Sequence, residues 1–353
     1  MKVLVTGGAG FVGSSLALGL KARYPSYQIY VLDNLKRRGS ELNIDRLKQV
    51  GITFIHGDIR NKEDFSEIPP VDILIEASAE PSVMAGINGL PDYLINTNLL
   101  GTINCLNYAV SKSASVIFLS TSRVYSIDAI NNIAFTETDT RFEIDDKQSQ
   151  PGITPKGIAE NFSTSTYRSL YGTTKLSSEM LIQEYVEFYK LKAVINRCGV
   201  IAGPWQMGKV DQGVVTLWMA RHFWPKPLTY NGYGGKGKQV RDILHVNDLI
   251  ELVDYQIHHI DKVNSQIYNV GGGREHSASL FEMTQICSEI TGNTIDIAEI
   301  PENRPADIRI YITDNSLVAA QTGWKPRISV HSIFEEVYLW LQDNNQQLKN
   351  ILG

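Results

Sequence analysis

The chain opens on an apolar run, Val3-Leu4-Val5, that leads into Thr6-Gly7-Gly8-Ala9-Gly10-Phe11-Val12-Gly13. A helical pattern follows, and a second apolar run, Ile29 to Leu32, then ends in Asp33. No other stretch limits the possible folds as tightly. Glycine reaches positive φ and lets a backbone approach an anion closely. A helix that starts at Phe11 and Val12 points its first amides at that anion. Gly7 and Gly10 shape the turn, and Gly13 lets the helix lie close to its strand. A strand, a glycine turn, a helix and an acid twenty residues after Gly13 make a dinucleotide site. The pyrophosphate sits on the turn and the acid on the adenosine ribose.

Asp33 favours NAD, because its charge repels the 2′-phosphate of NADP. Asn34 beside it is placed in the same cofactor site. Lys36-Arg37-Arg38 just downstream is a basic run that could hold a phosphate, or a solvated surface turn. Asp58-Ile59 follows a third apolar run, Thr53 to Ile55. Asp58 is expected at the adenine amino group, with a helix cap as the alternative.

Further apolar runs at Ile73 to Ile75 and Val116 to Leu119 alternate with segments long enough for crossover helices. That rhythm predicts an α/β fold, a Rossmann doubly wound parallel sheet. Long helices are expected at about 91–112 and 170–189. From about 131 to 166, acids, prolines, glycines and hydroxyls predict a surface excursion, either a lid or an interface loop. The rhythm becomes irregular after Val194. Residues 1–195 are therefore expected to form the cofactor domain with the catalytic residues. Residues 196–353 are expected to form mainly a smaller substrate lobe, with segments interleaved between the two.

Charge narrows the function classes. Lys plus Arg is 33 against 38 Asp plus Glu, a net charge of -5. That surplus argues against a nucleic-acid partner. No apolar run reaches membrane-spanning length, and the N-terminus lacks a signal-peptide pattern. Cys105, Cys198 and Cys287 are far apart and read as small buried residues, so no metal site is expected. The expected location is the cytoplasm.

Tyr171 and Lys175 stand four residues apart, on one face of a helix. An ammonium there can stabilise a phenolate, which otherwise forms near pH 10. Ser120-Thr121-Ser122 closes an apolar strand, and ligands of open α/β sheets bind beyond such ends. A hydroxyl at that point can bridge a substrate oxygen to Tyr171. Together these residues suggest hydride transfer to or from a secondary alcohol.

With these motifs in order, the chain resembles the extended short-chain dehydrogenase/reductases of the nucleotide-sugar epimerase and dehydratase family. Asn98 in Asn96-Thr97-Asn98-Leu99-Leu100-Gly101-Thr102, the run Arg197 to Pro204, the run Gln239 to Asp248 and Arg304-Pro305-Ala306-Asp307 add to the likeness. The resemblance implies that Thr121 is the active-site hydroxyl and that Asn98 belongs to the cofactor site. It also implies that Arg241 and Arg304 clamp a diphosphate, with Asp307 beside them. Forked Arg contacts suit phosphate oxygens. His245 is expected to be structural. Two departures stand out. The family's 4,6-dehydratases carry an Asp-Glu pair where this chain has Ser122 and Arg123, and neither can serve dehydration. Val200 stands where many relatives have Asn.

Asp211-Gln212-Gly213 and Gly237 to Asp242 resemble the CDP-tyvelose (CDP-paratose) 2-epimerases, which invert C2 of a CDP-linked sugar. Gln206, Asp211, Gln212, Ser122 and Arg123 are accordingly substrate-site candidates. The implied activity is an NAD-dependent nucleotide-sugar epimerase working by transient oxidation, as a homodimer or higher homo-oligomer. The alternatives are a UDP-sugar 4-epimerase, a nucleotide-sugar reductase or dehydrogenase, and a non-catalytic NAD sensor.

Overall fold

β-Branched and leucine side chains dominate five early strands: β1 (Lys2–Thr6), β2 (Gln28–Asp33), β3 (Thr53–His56), β4 (Ile73–Glu76) and β5 (Ser115–Thr121). Apolar runs of this length suit strands covered on both faces. The computed structural model, which describes residues 1–87, 89–208 and 212–353, joins them with Ala193–Cys198 and Ile267–Val270 into a seven-stranded sheet. Its order is Ile267–Val270, Ala193–Cys198, β5, β4, β1, β2, β3. The pairings of β1 with β2 and β4, of β2 with β3, and of β5 with β4 and Ala193–Cys198 are all parallel. The sheet therefore runs outward in both directions from β1 and β4, and the doubly wound expectation holds. Ligands bind at such a reversal, beyond the carboxyl ends of the strands.

By internal contacts the chain divides into two compact units. The first comprises Met1–Val124, Ser169–Cys198 and Leu249–Tyr268. Its core packs Leu4, Leu74, Val116 and Phe118 of the sheet against Leu106, Ala109 and Ile182 of the flanking helices. Each such large side chain contributes about 1.5–3 kcal/mol by leaving water. The helix expected at 91–112 is present in three parts: Asp92–Ile95, a π-helical turn Asn96–Leu100, and Gly101–Lys112. The wide turn coincides with a side-chain demand on its carbonyls, since Ser178 Oγ donates to the Asn98 oxygen. Gly101 is glycine for a steric reason. A Cβ there would stand 2.4 Å from Ile59 Cδ1. The second expected helix runs Ser169–Tyr189 and stops at Lys190, which takes φ 56°.

The second unit comprises Tyr125–Arg168, Gly199–Asp248 and Asn269–Gly353. Val240–His245 pairs with Val200–Ala202, Ser277–Ser279 and Ile310–Tyr311. Helices Val214–Phe223, Leu280–Thr291 and Val330–Asp343 pack on one another. Ser279 and Glu282 form a reciprocal cap that starts the middle one. The stretch 131–166 differs from the expected surface excursion. It forms two short antiparallel pairs, Phe135–Glu137 with Phe142–Ile144 and Ile153–Thr154 with Gly157–Ile158. Ile133, Phe142, Ile144, Ile158 and Phe162 are buried. Backbone bonds from Ile158 to Ile312 and from Asp314 to Ile158 tie it to the rest of the unit. The polar composition hid five apolar anchors.

Candidate active site

The glycine turn lies between β1 and the helix Phe11–Arg23. Gly7 has φ 65°, and a Cβ on it would come 2.9 Å from the Ala77 carbonyl. A Cβ on Gly13 would stand 2.2 Å from the Gly7 oxygen. Gly10 is the N-cap and offers no side-chain acceptor to the first helical amides. Those of Phe11 and Val12 are thus oriented for an external anion. Asp33 closes β2, and its carboxylate accepts the Ala9 amide at 3.1 Å and the Leu35 amide at 2.8 Å. Burial raises its pKa, and backbone bonds from Leu35, Ala9 and Gly10 oppose that rise. A carboxylate has about four acceptor positions, so Asp33 retains capacity for ribose hydroxyls. Turn, helix N-terminus and acid fit NAD.

The neighbouring residues are more committed. Asp58 receives Arg60 Nη2 at 2.6 Å and Asn34 Nδ2 at 2.8 Å. Burial alone would raise its pKa, but the bonds from Arg60 and Asn34 overrule it and bring the group to about 2. Asn34 and Asp58 are therefore together, and Ile59 is buried beneath Gly101. Lys36 places its ammonium 3.3 Å from the centre of the Tyr93 ring. Asn98 is buried; its Oδ1 accepts the Glu80 amide at 2.8 Å and its Nδ2 donates to the Glu80 oxygen at 3.1 Å. It ties the loop after β4 to the π-helical turn.

Thr121 ends β5, with its hydroxyl near enough to the Tyr171 phenol to lower its pKa. The Arg123 amide donates to Thr121 Oγ1 at 3.2 Å. Ser122 and Arg123 lie in the single helical turn that follows. Lys175 follows one turn after Tyr171, almost fully buried, with its Nζ 3.8 Å from the centre of the Phe118 ring. Sequence reasoning expected Lys175 and the oxidised nicotinamide together to bring the phenol towards neutrality. With the protein's own groups, burial pushes Tyr171 up to about 12, while Thr121 and Arg123 pull it down and Cys198 and Glu80 push it further up. Lys175 is itself held down by burial, against the carboxylates of Glu76 and Glu179.

Three further residues at this site, all glutamates, escaped the sequence reading. Glu179 receives Arg197 Nη2 at 2.7 Å and Ser120 Oγ at 2.5 Å. Glu76 accepts Thr102 Oγ1 at 2.5 Å. Glu80 acts electrostatically on Tyr171. Two signals existed: an acid closing the apolar run Ile73-Leu74-Ile75, and another one turn after Lys175.

In the second unit, Arg241 donates to the Ile308 oxygen at 2.6 Å and to the Val240 oxygen at 2.7 Å. Asp307 Oδ1 lies 3.4 Å from its Nη2. Arg304 is exposed. Gln206 donates to the Ile201 oxygen at 2.8 Å and accepts from Thr216 at 3.2 Å. Gln212 stands two residues before the helix Val214–Phe223, and Asp211 lies outside the described residues. Val200 pairs with Ile243. His245 is buried, accepts the Asn247 amide at 3.1 Å and lies 3.2 Å from Glu336, the structural role expected of it.

A family model described as the NAD dependent epimerase/dehydratase family matches residues 3–271. The chain belongs to that family. Over 352 residues it is 29% identical to the CDP-paratose 2-epimerase of Salmonella typhi, covering 96% of this chain and 99% of the relative. A dTDP-glucose 4,6-dehydratase of Salmonella typhimurium is 25% identical over 368 residues, covering 99% and 95%. The crystal structure of the Thermus thermophilus UDP-glucose 4-epimerase in complex with NAD matches with a TM-score of 0.76 and 26% identity, over 97% of this chain and 99% of that one. Family membership and the glycine cradle agree on NAD as the cofactor.

Proposed function

We propose that this family member is an NAD-dependent epimerase of a nucleotide diphosphate sugar, and that it inverts C2 of a CDP-linked sugar. The observation that carries the reading is the placement of Tyr171 close enough to the Thr121 hydroxyl for that hydroxyl to lower its pKa, one helical turn from Lys175, with Ser122 and Arg123 following Thr121 in the chain. NAD, when bound, supplies a hydride acceptor that can return what it took. Tyr171, as phenolate, holds the proton of the sugar hydroxyl. Thr121 hydrogen-bonds the same oxygen and keeps it in line. Lys175 supplies positive charge that favours the phenolate, and Arg123 adds to it. Neither Ser122 nor Arg123 can act as the carboxylate acid and base that dehydration uses. The likeness to the Salmonella typhi 2-epimerase supports C2 of a CDP-sugar over the 4-epimerase alternative. Arg241, Arg304 and Asp307 are the proposed diphosphate residues, with Gln206, Asp211 and Gln212 as further substrate-binding candidates.

A homodimer completes the proposal. Leu100, Met180, Phe188 and Tyr189, on the helices Asp92–Lys112 and Ser169–Tyr189, are exposed, Phe188 by 73%. Such a patch favours a self-complementary interface. Three buried free thiols accord with a cytoplasmic location. The test is an NMR screen of CDP-, UDP-, GDP- and dTDP-sugars with the purified protein. A new C2 stereoisomer of a CDP-sugar supports the reading. Net consumption of added NADH or NAD would favour a reductase or dehydrogenase instead.

A further inference from the structure

Glu76 is a buried acid of the sheet's interior whose chemistry the proposed reaction leaves unexplained. It is 1% exposed. Its Oε1 accepts Thr102, and its Oε2 meets no nitrogen or oxygen donor among the described residues, only the weakly donating Cys105 thiol being near. Burial raises its pKa and the Lys175 charge lowers it, so keeping this carboxylate ionised takes a positive charge beside it. The sheet register supplies one. Glu76 stands beside Phe118 of β5 and Thr6 of β1. Paired residues on adjacent strands face the same side, so Glu76 and Phe118 share a face. The Lys175 ammonium sits over the Phe118 ring on that face.

The same layer continues beyond Lys175. Phe118 and Ser120 face one way, and Arg197 pairs with Ser120. Glu179 lies between Arg197 and Ser120. Glu76, Lys175, Glu179 and Arg197 thus alternate in charge beneath the catalytic helix, each less than 10% exposed. Arg197 engages Glu179 through Nε and Nη2, so Glu76, the larger of the two carboxylate influences on Lys175, is the one with no arginine bonded to it. The remaining groups around Lys175 are Cys198 on the neighbouring strand and Cys105 on the helix Gly101–Lys112, both thiols held neutral by burial.

We propose that Glu76 is a positioning residue: it is the buried counter-ion that holds Lys175 charged and in place one turn from Tyr171. Two measurements test this. The first is a stability cycle that needs no substrate. At neutral pH, Glu76→Gln should lower the melting temperature of the native protein. In a Lys175→Met background the same change should raise it, because it then removes an unbalanced buried charge. Equal effects of Glu76→Gln in both backgrounds would overturn the pairing. Should the single variant fail to fold, the comparison of Lys175→Met with Lys175→Met/Glu76→Gln still decides, since a lower melting temperature of the double variant refutes the proposal.

The second measurement rests on the epimerase reading. Without Glu76 the ammonium loses support, so Lys175 gives up its proton at lower pH. The alkaline limb of kcat/KM in Glu76→Gln should move down by about one pH unit. Glu76→Asp, which keeps the charge, should restore it in part. An unmoved alkaline limb would overturn the catalytic half of the proposal. Absence of any epimerase activity in the wild type would instead overturn the reading of the reaction and leave the stability cycle to judge the pairing.

Discussion

Replacing Glu179 by Gln should destabilise the first unit by about 3–5 kcal/mol, the cost of removing one partner from a buried ion pair. The geometry sets that range. Arg197 Nε lies 3.2 and 3.1 Å from the two carboxylate oxygens, and Nη2 lies 2.7 Å from Oε2. Glu179 is 1% exposed and Arg197 7%, so solvent cannot replace the lost charge. The amide also presents a donor where the guanidinium needs an acceptor. For a unit of this size the loss corresponds to a fall of about 6–20 °C in melting temperature. The assay is thermal unfolding at fixed, saturating NAD, because bound cofactor itself raises the midpoint. The double replacement Glu179→Met/Arg197→Met should cost much less than the two single changes added together, since it leaves no buried charge unpaired. A Glu179→Gln variant that melts within about 2 °C of wild type, less than 1 kcal/mol on this scale, would refute the reasoning.

Tyr171→Phe should reduce turnover by about 10²–10⁴-fold, the range for a lost acid–base group, while NAD released on denaturation stays stoichiometric. Retained turnover would remove Tyr171 from the chemistry. Arg123→Met should move the acid limb of kcat/KM to higher pH, because the Arg123 charge lowers the Tyr171 pKa against the rise caused by burial; a shift to lower pH would contradict this. Gly13→Ala should weaken NAD binding by about 10–100-fold, since its Cβ would need space 2.2 Å from the Gly7 oxygen; calorimetric titration reads this directly. Asp58→Asn should cost about 1–2 kcal/mol at neutral pH, allowing for solvent around Arg60. Because Asp58 titrates near 2 when folded against an ordinary 3.8, its contribution is complete above about pH 4 and fades as pH falls through 2. Denaturant midpoints at pH 6 and pH 3 should show the difference shrinking in acid.

Local chemistry explains which features were legible in the sequence. The turn at Gly7 to Gly13 could be read because only glycine fits there, and the apolar runs of β1, β2, β4 and β5 because strands covered on both faces need them. Tyr171 and Lys175 could be read from their helical spacing. The π-helical turn at Asn96–Leu100 could not, because Ser178, a residue far along the chain, bonds the Asn98 oxygen. Leu249–Tyr268 belongs with the first unit, and nothing local tells which body an amphipathic helix will cover. The alternation of Glu76, Lys175, Glu179 and Arg197 brings together strands and a helix from separated segments. The neutral Tyr171 has the same origin. Spacing gives the distance along a helix, whereas the pKa depends on burial and on acids that only the fold brings near.

The fate of hydrogen at the inverted carbon tests transient oxidation most directly. If Tyr171 handles only the hydroxyl proton, the carbon-bound hydrogen leaves and returns as hydride without meeting water. Unlabelled substrate turned over in D₂O should therefore carry no deuterium at that carbon. Substrate deuterated there and turned over in H₂O should keep its label in the product, as read by NMR. Solvent deuterium at the inverted carbon would contradict the hydride route and point to proton abstraction beside a carbonyl.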